Sequence, residues 1–150
     1  MKKFSFPLES VLRYKGSLLD EEKSKLNLLR VELARIDDAI EENLRQLLSC
    51  DERLKALAQE GCGISALRCI SFEIDNTRQM LEALKINRAK QARLVEKQQA
   101  VVVEARQSVS GIERLKEKQL ESYHEAQLKE EELTIGELVS TSYARANLSQ

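Results

Sequence analysis

Proline is nearly missing from the 150 residues, with Pro7 alone, and tryptophan is missing altogether. Aromatic residues make up only 4% and glycines number five. A chain so poor in helix breakers and in bulky core residues suits long exposed helices and cannot fill a thick globular core. An excess of one charge is lacking too: 24 Lys and Arg stand against 25 Asp and Glu, a formal charge of -1. No global field therefore gathers nucleic acid or anionic lipid, and partner recognition has to be local. No apolar run approaches the roughly 18 residues of a membrane span. The start, Met1-Lys2-Lys3-Phe4-Ser5-Phe6-Pro7, lacks the apolar stretch of a signal peptide. The expectation is a cytoplasmic protein with no nucleic-acid partner and no direct membrane span.

Catalytic and metal chemistry are equally thin. Cys50, Cys62 and Cys69 are odd in number, show no CxxC spacing and have no histidine nearby, which leaves a disulfide framework or a zinc site without support. They read as free thiols that pack as small apolar groups. The single histidine, His124, occupies no seam position and has no nucleophile placed beside it by motif. Glycine-rich phosphate loops, HExxH and EF-hand loops do not occur. The carboxylates fall on exposed helical faces where water keeps them ionised, a poor setting for general acid catalysis. No enzyme, no cofactor and no metal are expected.

What the chain does have is period. A heptad runs without a break through Leu12, Lys15, Leu19, Glu22, Leu26, Leu29, Leu33, Ile36, Ile40, Asn43, Leu47, Cys50, Leu54 and Leu57, and eleven of these fourteen positions are apolar. Alternating steps of three and four, with charge elsewhere, mark a coiled coil. The pattern stops at Glu60-Gly61-Cys62-Gly63-Ile64-Ser65, where Gly61 is suited to the left-handed conformation that closes a helix and Ser65 to capping the next. It resumes at Leu67, Ile70, Ile74, Thr77, Leu81, Leu84, Arg88, Gln91, Val95, Gln98, Val102, Ala105, Val109 and Ile112, ten of fourteen apolar. A short glycine loop between two seams implies an antiparallel pair. The expected fold is all-α, a two-helix antiparallel coiled-coil hairpin in one domain over 1–150: helix 1 about 7–60, tip 61–65, helix 2 about 65–143 and a frayed tail 144–150. Pro7 suits a first helical position, with Phe4, Phe6, Leu8, Val11 and Leu12 around that entry.

Folding the chain about residue 62 or 63 pairs positions whose numbers add to about 125. Gly16 and Ser17 then fall opposite Ser108, Ser110 and Gly111, so that small residues face each other. Asn27 falls opposite Gln98, and Asp37 or Asp38 opposite Arg88; polar seam residues of this kind serve register selection. Past about residue 118 the second helix has no expected partner in its own chain. Within and just before that overhang, Glu113, Glu117, Glu121 and Glu125 form an acidic row at four-residue steps while Arg114 and Lys118 begin a basic one. Such charges suit a solvated helix stitched by Glu113 with Lys116 and Arg114 with Glu117. The unpaired length favours a docking partner instead, because an isolated helix gains little stability unless something packs on it.

The opening Phe4-x-Phe6-x-Leu8-x-x-Val11-Leu12-Arg13-Tyr14, the heptad pair, and the segment Ile112-Glu-Arg-Leu-Lys-Glu-Lys-x-Leu120-Glu-x-Tyr123-His124 together resemble the FliJ family of the bacterial flagellar type III export apparatus. The likeness covers nearly the whole chain. It implies a soluble two-helix coiled coil, similar in shape to the central stalk of rotary ATPases, that binds the hexameric export ATPase and promotes its assembly. It also implies a connection to the export gate membrane protein at the inner face of the cell membrane and the handling of substrate-specific export chaperones. By that resemblance the end carrying both termini enters the ATPase ring, and the matching residues are Arg13, Tyr14, Arg114, Lys116, Lys118 and Tyr123. The resemblance also implies that the glycine tip and its neighbour Phe72 face the gate. Gly16 and Gly111 depart from the pattern where the family's stalk is gripped. Two other readings share these features: the equivalent stalk or escort protein of a virulence type III secretion system, and a purely structural coiled-coil scaffold.

Overall fold

The computed structural model describes residues 2–61 and 63–150. Cys62, read above as a third free thiol in the tip, lies outside the described residues. The fold is all-α, with α1 at Glu9–Glu60 and a longer α2 at Ile64–Leu148. Two units are distinguished, one formed by Met1–Leu19 with Glu104–Gln150 and the other by Asp20–Val103. In each, a stretch of α1 packs antiparallel against a stretch of α2.

The seam is where the period places it. All fourteen α1 heptad positions are buried or half-buried, and of the α2 positions only Leu67 and Arg88 are exposed. In the Asp20–Val103 unit the core is Leu26, Ile36, Cys50, Ile70, Leu81 and Val102, joined by Thr77 and Gln91. The polar members satisfy themselves locally: the Asn43 amide donates to the Ala39 carbonyl at 2.8 Å and the Thr77 hydroxyl to the Glu73 carbonyl at 2.8 Å. Others cross the seam. Gln91 donates to the Leu29 carbonyl at 3.1 Å and Gln98 to the Glu22 carbonyl at 3.1 Å, one heptad apart on both helices. One buried amide and one half-buried one, each holding a main-chain carbonyl of the facing helix, pin the register, since any slip costs them these bonds. Gln98 also bonds the Glu22 carboxylate. Its amide first, and Lys25 second, hold that carboxyl below the ordinary range. Arg53 does the same to Glu73 across the pair, at 2.8 Å. A carboxyl whose folded pKa is depressed contributes stability above its unfolded pKa, and the contribution is lost as pH falls through the folded value.

The expected register holds at Arg88, which pairs with Asp37 rather than Asp38. It fails for Asn27, which is exposed and lies off the heptad, so Gln98 turns to Glu22 instead. Reversing Arg88 to Glu is expected to weaken the unit and Asp37→Lys to restore part of the loss. Both side chains are nearly half exposed, at 49% and 44%, so a denaturation double-mutant cycle should return a coupling of only about 0.5 kcal/mol.

Several boundaries differ from the sequence reading. Gly61 does take positive φ, at 76°. α2, however, opens at Ile64, with the Gly63 carbonyl accepting the Leu67 N–H at 3.4 Å, so Ser65 lies inside the first turn and does not cap it. The far end stays helical through Leu148 instead of fraying from 144, because Tyr143-Ala-Arg-Ala-Asn-Leu contains no breaker and Arg145 complements the C-terminal dipole. Cys50 is fully buried, as a small apolar group, but Cys69 is exposed.

In the unit that carries the termini, the small residues do not bring the backbones together. A methyl group added at Gly16 or Gly111 would meet nothing within 4 Å; Lys15 spans the seam there, donating to the Ser108 hydroxyl at 2.7 Å. With room for a side chain and helical backbone at both, Gly16→Ala and Gly111→Ala are each expected to raise stability by about 1 kcal/mol, read from the midpoint of chemical denaturation.

Candidate protein-docking site

The unit of Met1–Leu19 with Glu104–Gln150 contains six of the seven residues singled out for recognition. α1 begins two residues later than Pro7 suggests: the Glu9 N–H bonds the Phe6 carbonyl at 3.2 Å and the Leu12 N–H bonds the Leu8 carbonyl at 2.9 Å. Pro7 and Leu8 therefore form a turn, and residues 2–6 run on as a non-helical strap. That strap lies along α2. Phe6 is 6% exposed, the Phe4 ring packs on Tyr123 with centroids 5.5 Å apart, and the Tyr123 hydroxyl donates to the Lys2 carbonyl at 2.8 Å. The second helix thus keeps a partner past residue 118, with Gln119, Leu120, Tyr123 and Gln127 half-buried and every residue from Leu128 onward exposed.

The candidates divide into two groups. Arg13, Tyr14, Arg114 and Lys118 project freely, Tyr14 with 64% of its surface exposed. Lys116 does not: it pairs with Glu9 at 2.8 Å, and its ammonium sits 5.9 Å from the Phe6 ring centre. The helical stitches expected for it and for Arg114, to Glu113 and Glu117, do not form among the described residues. Tyr123 is half-buried under Phe4 and touches His124 edge-on. Leu12, Arg114, Lys116 and Leu120 line a shallow groove between the two helices of this unit. In the other unit, Phe72 is 74% exposed.

Two features escaped the sequence reading. An extended strap has no helical period to read, and Phe4-x-Phe6 before a proline is the signal the sequence offers for it. The distal helix was described by its charges, yet it also exposes Leu128, Leu133, Ile135, Leu138, Val139 and Tyr143. Among the described residues no group of acidic, Cys or His side chains could hold a metal ion, and no helix is long and apolar enough to cross a membrane.

No curated protein and no solved structure matches the chain. The model of the flagellar FliJ protein family matches residues 4–148. With nearly the whole chain covered, the protein belongs to the FliJ family, a non-enzymatic component of flagellar export.

Proposed function

We propose that this FliJ-family protein acts as the stalk of the flagellar export machinery, docking the end that carries its termini into the hexameric export ATPase and promoting the ring's assembly and activity. The observation that carries the reading is the bare stretch of α2 from Leu128 to Leu148, helical throughout yet without α1 to pack on. An isolated helix of this length is marginal in water, and one that also displays Leu, Ile and Val in series calls for a protein surface to cover it. Arg13, Tyr14, Arg114 and Lys118, in the same unit, are exposed cationic and aromatic side chains, the residue types that anchor interfaces. Exposed Phe72, in the other unit, supports contact with the export gate membrane protein, and the long exposed helical faces suit the escort of export chaperones. The place of work is then the inner face of the cell membrane at the flagellar base. Purified protein should stimulate its cognate export ATPase and shift it toward hexamers; an ATPase indifferent to it in both assays overturns the reading.

A further inference from the structure

The strap offers more than a start to α1. Its outer part lies on one of the residues assigned to the docking site, Tyr123, which packs under the Phe4 ring and donates to the Lys2 carbonyl, whereas the ion pair of Lys116 is with Glu9, inside α1. We infer that residues 2–5 are a displaceable mask, closed over Tyr123 in the free chain and peeled away when the ATPase docks. This deepens the stalk reading and rests on it.

The geometry of the strap favours release. Among the described residues the polar hold of residues 2–5 on α2 is one hydrogen bond, from Tyr123, and their apolar hold is one tilted ring pair, while Phe6 stays buried behind them. Lys2, Lys3, Ser5 and Pro7 are exposed. Opening at Phe4 uncovers the face of Tyr123 beside Leu120 and leaves α1 intact from Glu9, because the first helical hydrogen bond is anchored at Leu8. A chain whose binding-competent form is only partly populated binds more weakly by that fraction, and a variant that opens the mask recovers the difference.

The test loosens the strap without touching the site. Phe4→Ala removes the ring pair, and Phe4→Asp replaces it with a carboxylate that cannot stay packed on the Tyr123 ring, giving a graded series in the full chain. In selectively tyrosine-labelled protein, the Tyr123 ring resonances should move toward those of exposed Tyr143 in both variants, while helical circular dichroism stays unchanged. Affinity for the cognate export ATPase should rise about 3- to 10-fold, more for Asp than for Ala. Equal or weaker binding by the opened variants, with wild type still binding, overturns the mask and makes the strap an ordinary part of the interface or of the fold. Absence of binding by wild type and variants alike overturns the stalk reading, and the mask with it.

Discussion

Ile36→Asp should unfold the Asp20–Val103 unit at temperatures the wild type tolerates. Ile36 is only 3% exposed, at a heptad position of α1 between the carbonyl held by Gln91 and the Asp37–Arg88 pair. A carboxylate there is desolvated with no cation inside the seam to answer it, and the buried methyls it replaces leave a void. The two losses together come to about 4 kcal/mol or more, a large share of what a small unit has. Leu28→Asp is the control: Leu28 is 71% exposed on the same helix, and its replacement should change stability by no more than about 0.5 kcal/mol. Thermal melting followed by helical circular dichroism separates the two. Equal melting temperatures would mean that the heptad does not define the core.

That contrast shows what made the fold readable. Side-chain direction along a helix repeats with a fixed geometric period, so a seam of Leu, Ile and Val states both the element and its buried face. Leu28 and Leu29 are chemically identical, and only phase tells that the second is half-buried and the first exposed. Register was readable at Arg88 to within one residue, Asp37 or Asp38, and Asp37 is the partner. It was misread where a flexible amide had several, since Gln98 satisfies itself on Glu22 instead of Asn27. At the proposed docking end the sequence displays the residue types but not their arrangement. Nothing periodic marks an extended strap, so Lys116 and Tyr123 read as free contacts although Phe6, Glu9, Phe4 and Lys2 occupy them.

The same distinction selects the functional experiment. Lys116 and Tyr123 serve the fold as well as the proposed interface, so replacing either changes the strap and the partner surface together. Arg114 and Lys118 are exposed, and neither forms an ion pair among the described residues. Exposed charges contribute little to folding, and the double reversal Arg114→Glu with Lys118→Glu should leave helix content and melting nearly unchanged. At an interface the same change places two negative charges where two cations were received, a like-charge penalty of several kcal/mol. Stimulation of the export ATPase is therefore expected to drop by about 100-fold or more. Raising the salt concentration should narrow the gap only in part, because screening acts on the solvent-exposed rim and spares desolvated pairs. Should the double reversal stimulate as well as wild type at both low and physiological salt, Arg114 and Lys118 belong to a solvated helix face and the contact falls instead to the bare apolar stretch from Leu128 onward.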